Sequence, residues 1–222
     1  MTPFQLTALL LTALWLVLVV RLRRSNLVLI AGLLALGIFT LASLALGWVT
    51  PNALGLEPVP AWLATIAWAL AGLVVTIACS PLADRLASRF FPQPPTLAAF
   101  GAIQQSKAKL AGGILAAWLL GGFLEELIAR GVVLSSIAAG LTGLLPLPLA
   151  AGLAVVLAAA GAGLMHLYQG PRGAAIIAQI SLLFGLLFVL SGYNLWAVML
   201  CHGLYDTIAF IRFATKQSKY SK

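Results

Sequence analysis

Long apolar runs separated by short polar breaks dominate the chain. Each run has about the length that an α-helix needs to cross a bilayer, since ~20 residues suffice, and none alternates like a barrel strand. The pattern therefore predicts an all-α, polytopic membrane bundle of about seven helices. A looser apolar piece at 135–145 leaves an eighth, partial helix open. The seven runs are 4–20, 27–49, 61–79 (ending at Ser80-Pro81), 110–134, 149–167, 174–190 and 195–211.

Basic side chains flank these runs and set the expected orientation. Arginines follow the first run, whereas a cleavable signal peptide carries its charge before the apolar core, so we expect a first transmembrane helix. The positive-inside rule then predicts an outer N-terminus and a cytoplasmic C-terminus, in a bacterial-type plasma membrane or a thylakoid membrane. The polar stretch 84–109 would be a cytoplasmic loop, with a short interfacial helix at 96–103. The flanking residues are Arg21, Arg23, Arg24, Arg85, Arg89, Lys107, Lys109, Arg172, Arg212, Lys216, Lys219 and Lys222.

Composition supports the membrane assignment. Hydrophobic residues make up 62% of the 222 residues and charged residues only 8%, against roughly a quarter charged in soluble domains. The net charge of +8 is explained by loops that face anionic lipid, so no nucleic-acid partner is predicted. Cys79 and Cys201 lie in apolar runs, where packing is expected rather than a disulfide.

Ionisable residues inside the apolar runs are the candidates for chemistry. A charge at mid-bilayer costs at least about 2.5–3.5 kcal/mol, so it persists where it is paired, faces a cavity or has a function. Glu57 and Asp84 are expected in loops. The remaining acidic residues and both histidines fall within the predicted helices: Glu125, Glu126, His166, His202 and Asp206.

The first group is Glu125-Glu126-Leu127-Ile128-Ala129-Arg130. Glu126 and Arg130 are four residues apart, so they share a helix face and can pair. Glu125 is rotated by about 100° from Glu126 and lacks that cation. We expect Glu126 and Arg130 to give structural support and Glu125 to be free for catalysis, although all three could instead form a polar cluster that joins helices.

The second group is His202 and Asp206, again four residues apart, with His166 on the fifth run. A carboxylate on the same face can hold an imidazole and stabilise its charged form. The alternative for each histidine is a hydrogen bond between helices. We favour function because both histidines accompany carboxylates inside apolar runs.

These residue types suit the hydrolysis of an amide bond. Desolvation makes a carboxylate a stronger base, so Glu125, close to His166, would deprotonate a trapped water. His202, oriented by Asp206, would donate to the oxyanion that forms. A serine nucleophile is disfavoured because the chain has no G-x-S-x-G motif.

The motifs resemble those of the CPBP family, membrane proteases named for CAAX-prenyl proteases and bacteriocin-processing enzymes and also called the Abi family. Its pattern is E-E-x-x-x-R, then F-x-x-x-H, then H-x-x-x-N/D. The resemblance implies an intramembrane glutamic protease in which Glu125 and His166 activate water and His202 with Asp206 forms the oxyanion site. It divides the chain into a three-helix region with a basic loop (1–108), a protease domain (109–213) and a basic tail (214–222).

Two departures from the family pattern stand out. Ala162 occupies the phenylalanine position, which is expected to alter packing around the site. Asp206 stands where asparagine would donate directly, so it must be protonated or act only by orienting His202. Depth is a further problem: at 1.5 Å per residue, Glu125 lies roughly 22 Å from a helix start at Leu110, while His166 lies near a helix end.

Two other functions stay open. A zinc metalloprotease would use His166, His202 and a carboxylate, although there is no H-E-x-x-H motif. A non-catalytic scaffold, immunity factor or transporter would use the same polar cluster structurally or for protons. The leading hypothesis needs no metal or cofactor. Its partners would be the bilayer and a peptide or membrane-protein substrate, with lipidated peptides among the candidates.

Overall fold

The structure, a computed structural model, describes residues 1–22, 26–57 and 62–217. Within them, seven helices are long and apolar enough to cross a membrane, so the predicted all-α polytopic bundle is confirmed. Ala61, Arg23, Arg24, Lys219, Lys222 and the side chain of Lys216 lie outside the described residues. The helices are α1 (Pro3–Arg21), α2 (Asn26–Ala45), α3 (Trp62–Phe90), α4 (Lys107–Leu141), α5 (Leu147–Met165), α6 (Gly170–Leu190) and α7 (Leu195–Gln217).

Local sequence signals mark where several helices begin. At α1 the Thr2 hydroxyl accepts from the Gln5 N–H while the Gln5 side chain accepts from the Thr2 N–H, which satisfies two free donors of the first turn. At α4 the Ser106 hydroxyl accepts from the Lys109 N–H. At α5 a proline occupies the first turn, where its missing N–H removes no helical bond.

Helix α3 is longer than predicted. The prediction that it ends at Ser80-Pro81 is wrong, because the helix continues through Pro81 to Phe90. Proline is tolerated inside transmembrane helices. The Ser80 hydroxyl beside it donates to the Thr76 carbonyl, 2.7 Å away. Asp84 is therefore in a helix and not in the predicted loop.

Helix α4 is one continuous element with wide turns at its centre. It begins at Lys107 and includes the first part of the 135–145 piece, so no separate eighth helix forms there. The segments Ala117–Glu125 and Leu127–Leu134 are π-helical, a geometry that recurs at functional sites.

Small residues allow the C-terminal helices to approach closely. Alanines on α5 are buried, among them Ala150, Ala154 and Ala158, and a side chain added at Gly163 would lie 2.9 Å from Ala178 of α6. Small residues at such contacts permit the close backbone packing typical of membrane helices. Large apolar side chains elsewhere point outward, for example Leu63, which is 85% exposed.

A set of polar contacts, which we call the strap, connects the end of α3 and the loop after it to the region where α5 is followed by α6. Arg172 of α6 makes two hydrogen bonds to Asp84, of 2.9 and 2.8 Å, and the Thr96 N–H donates to the Gln169 carbonyl at 2.9 Å. The predicted helix at 96–103 is a short 3₁₀ helix, Ala98–Gln104, whose Phe100 ring packs on Phe210 of α7. The strap fixes the turn Leu167–Gln169, which follows His166.

Candidate active site

Glu125 and His166 meet in the structure. The distance between Glu125 Oε1 and His166 Nε2 is 3.8 Å, so the expected depth problem does not arise. Helices α4 and α5 form a hairpin, and the segment of α4 from Glu125 to Leu141 is about as long as the 19-residue α5. The chain therefore returns to the level of Glu125 when it reaches His166. The turns of α4 that come before Glu125 extend beyond the level at which α5 ends.

The prediction that His166 lies inside a helix is wrong, because it is the residue directly after α5. The last turn of α5 sets the orientation of His166. Its Nδ1 lies 2.8 Å from the carbonyl oxygen of Ala162. A carbonyl oxygen only accepts, so Nδ1 carries the hydrogen and Nε2 of the neutral ring is left as an acceptor facing Glu125. The alanine in place of the family's phenylalanine is buried and does not disturb this bond, which uses only its backbone.

Glu126 is fully buried and binds both Arg130 and His202. Its Oε1 accepts from Arg130 Nη1 at 2.9 Å, the predicted pair, and from His202 Nδ1 at 2.6 Å. Arg130 in turn donates to the Ser181 carbonyl and hydroxyl on α6. The bond between Glu126 and His202 was not predicted, because the two residues are 76 positions apart and no spacing rule links them.

His202 and Asp206 are in contact on α7, but this contact is longer than the one between His202 and Glu126. His202 Nε2 lies 3.4 Å from Asp206 Oδ2, longer than the usual range of about 2.7–3.2 Å for an N–H···O bond. Glu126 therefore orients the imidazole more strongly than Asp206, which was expected to do so alone.

One cavity brings the four predicted catalytic side chains together. It has a volume of about 430 Å³ and is lined by Glu125, His166, His202 and Asp206 together with Tyr168 and apolar residues of α1 and α2. Ligand sites typically have volumes of about 300–1,000 Å³. Tyr168 was not predicted as a site residue, because no spacing rule connects it to the motifs.

Two glycines of α4 lie where this helix contacts α7 beside the cavity. A side chain added at Gly121 of α4 would lie 3.1 Å from Asp206 Oδ2 and 3.4 Å from His202 Nε2. At the next position, Gly122, it would lie 3.3 Å from the Gly203 backbone of α7. The two helices thus cross in close contact directly beside the polar groups.

The geometry bears on the two alternative functions, the zinc metalloprotease and the non-catalytic scaffold, immunity factor or transporter. Within 1–22, 26–57 and 62–217, no group of three His, Cys, Asp or Glu side chains is arranged to hold a metal ion. The polar cluster does have a structural part, namely Glu126, Arg130 and Ser181. Glu125 and His166 lie outside that part and face the cavity.

The family comparison covers the segment that carries all three motifs. Residues 107–208 match the family model described as Type II CAAX prenyl endopeptidase Rce1-like. The resemblance predicted from the motifs is confirmed. The Rce1-like segment begins with α4 and includes every residue of the predicted site, and it supports a membrane protease in general terms. No curated protein and no solved structure matches the chain.

Proposed function

We propose that this protein is an intramembrane endopeptidase in which Glu125 activates a water molecule. The observation that carries the proposal is the convergence of Glu125 of α4, His166 at the end of α5, and His202 and Asp206 of α7 on one cavity inside an apolar bundle. Burying ionisable groups in such a bundle is costly, and Glu125 and His166 face the cavity outside the buried cluster of Glu126, Arg130 and Ser181. The Rce1-like match supports the same reaction class.

The first step is the attack of water on the peptide carbonyl. Glu125 Oε1 and His166 Nε2, 3.8 Å apart, are both acceptors, and a water about 2.8 Å from each would donate one O–H to each. Its lone pairs then face the cavity. As the water oxygen bonds to the carbonyl carbon, its proton passes to Glu125.

The second step is collapse of the tetrahedral intermediate. His202 is held by Glu126 through Nδ1, which leaves its Nε2–H, only loosely engaged by Asp206, to donate to the oxyanion. The C–N bond then breaks, and the proton on Glu125 passes to the departing nitrogen. No covalent link to the protein forms.

The substrate class follows from the cavity and the setting. A cavity within the helices accepts an extended peptide segment, from a membrane protein or a membrane-bound peptide, with lipidated peptides among the candidates. We keep the assignment of 109–213 as the protease domain, and the placement in a bacterial-type plasma or thylakoid membrane with an outer N-terminus and a cytoplasmic C-terminus.

The test replaces the base without changing its size. Glu125→Gln, reconstituted with a panel of candidate membrane peptides, should abolish the cleavage products seen by mass spectrometry with the wild type. Glu57→Gln is the matched control, because Glu57 lies in an exposed turn outside the cavity. Cleavage by Glu125→Gln at the wild-type rate would overturn the proposal. A wild type that cuts no peptide, while Glu125→Gln and His202→Ala lower stability or transport, would favour the scaffold or transporter.

A further inference from the structure

Tyr168 lies in the wall of the cavity, on the turn Leu167–Gln169 between α5 and α6. Its ring is tilted against the ring of His166, with centroids 5.7 Å apart. Glu125 and Asp206 line the same cavity. Tyr168 is therefore part of the wall around the groups of the proposed reaction.

The hydrogen bond that the phenol receives determines what it can give. Gln169 Nε2 donates to Tyr168 Oη at 3.0 Å, so the oxygen is already an acceptor. The O–H hydrogen is left to donate, and among the described residues no acceptor lies within hydrogen-bond distance of it. The phenolic O–H is therefore available to a ligand in the cavity that Tyr168 lines.

The proposed reaction needs another donor. Of the cavity's imidazoles, His166 uses Nδ1 on Ala162, and its Nε2 is an acceptor. His202 uses Nδ1 on Glu126 and can offer only Nε2. Asp206, when ionised, cannot donate at all. Effective oxyanion sites present preorganised donors at the position where charge develops, and His202 alone supplies one.

The turn that carries Tyr168 is held in place from two sides. The Thr96 N–H binds the Gln169 carbonyl, and Arg172 binds Asp84 through two hydrogen bonds. Gly170 joins the turn to α6 at φ +87°, a conformation that favours glycine. The phenol is therefore positioned before substrate arrives, which is the condition for a useful donor.

We propose that Tyr168 is a catalytic residue whose hydroxyl donates, together with His202, to the oxyanion of the tetrahedral intermediate. This inference rests on the proposed peptidase function and adds a second donor to it. As water attacks and its proton passes to Glu125, the carbonyl oxygen gains negative charge and accepts from Tyr168. The phenol keeps its proton throughout and releases the oxygen when the C–N bond breaks.

Tyr168→Phe tests the donor, because it keeps the ring against His166 and removes only the hydroxyl. We expect kcat to fall by about 10²–10³-fold, the usual cost of losing one oxyanion donor, with KM changed by less than about twofold. Tyr193→Phe is the matched control, since its ring packs on Phe188 with centroids 5.3 Å apart and does not line the cavity, and it should retain kcat. Thermal unfolding in detergent should be the same for Tyr168→Phe and the wild type.

Gln169→Glu supplies a second, nearly isosteric variant. A carboxylate beside Oη accepts the phenolic hydrogen and turns it away from the cavity, so kcat should fall as in Tyr168→Phe. The double variant should be no slower than either single one, because both remove the same donation.

The outcomes separate the two proposals. If Tyr168→Phe cleaves at the wild-type kcat, or changes only KM, while Glu125→Gln is inactive, the role of Tyr168 is overturned and the peptidase stands. If Glu125→Gln itself cleaves normally, the proposed function fails, and the role of Tyr168 fails with it.

Discussion

Glu125 and Glu126 are neighbours in the chain with opposite surroundings. The side chain of Glu126 is completely buried and accepts from Arg130 and His202. The side chain of Glu125 is 19% exposed and faces a cavity across 3.8 Å from His166. Because adjacent positions on a helix point in different directions, Glu126 binds His202 of the neighbouring α7 while Glu125 is available for chemistry.

Replacement of the two glutamates should therefore have different consequences. Glu126→Gln removes the charge that compensates buried Arg130, and breaking a buried ion pair in this way costs about 3–5 kcal/mol. We expect a clearly lower unfolding temperature in detergent, followed by tryptophan fluorescence. Glu125→Gln should unfold near the wild-type temperature. Equal unfolding temperatures for the two variants would contradict this assignment.

Gly121 allows a second prediction at this scale. A valine there would press on Asp206 Oδ2, since even a β-carbon lies 3.1 Å from it. We expect Gly121→Val to lower kcat/KM at least tenfold in the peptide-cleavage assay. Gly112→Val on the same helix is the control, because nothing lies within 4 Å of its added side chain. Equal activity in both variants would show that the space beside Asp206 is not needed.

Individual residues also show how far sequence reasoning extends. Pairs at four-residue spacing, such as Glu126 with Arg130, follow from helix geometry and are present in the structure. The bond from Glu126 to His202 depends on how α4 and α7 pack, which no local spacing encodes. Tyr168 depends on a turn whose conformation is set by the strap, so its position could not be derived in advance.

At the scale of elements, apolar run lengths predicted the number of spans but not their ends. The start and stop of α1 agree closely with the run because charge follows it at once. Helix α3 instead passes through Pro81 and ends at Phe90. A proline signals a helix end in water more reliably than in lipid.

The crossing of α4 and α7 gives a prediction about stability. Gly122 has no room for a side chain, because a β-carbon would lie 3.3 Å from the Gly203 backbone, and backbone yields less than a flexible side chain. Gly122→Val should destabilise the protein by about 1–3 kcal/mol, the usual cost of overpacking. Gly152→Val of α5, with nothing within 4 Å, should be neutral. Unfolding midpoints in a denaturing detergent would compare them, and equal midpoints would refute the tight crossing.

At the scale of the whole molecule, the cavity is not built by the Rce1-like segment alone. Trp15 of α1 and Leu29, Ile30 and Leu33 of α2 form part of its wall, and all lie before the matched residues 107–208. Helices outside the motifs therefore limit the shape of what can bind.

Enlarging this wall should restrict the cavity. Ile30 lines it and is 40% exposed, so a tryptophan can be accommodated there without disturbing the core. Ile30→Trp should slow cleavage of long or bulky peptides more than that of short ones. Ile38→Trp on the same helix is the control, because Ile38 is 68% exposed and does not line the cavity. Identical peptide-length profiles for the two variants would exclude α2 from substrate selection.

The ion pair between Asp84 and Arg172 has a consequence for exchanging parts between related proteins. One partner lies in α3, before the matched segment, and the other in α6, within it. A chimera that joins 107–217 to foreign N-terminal helices would leave the guanidinium without its carboxylate unless the donor supplies an acid at the same place. Since this contact anchors the loop after His166, such grafts should lose turnover even when they insert and fold, and restoring the single acid should recover it.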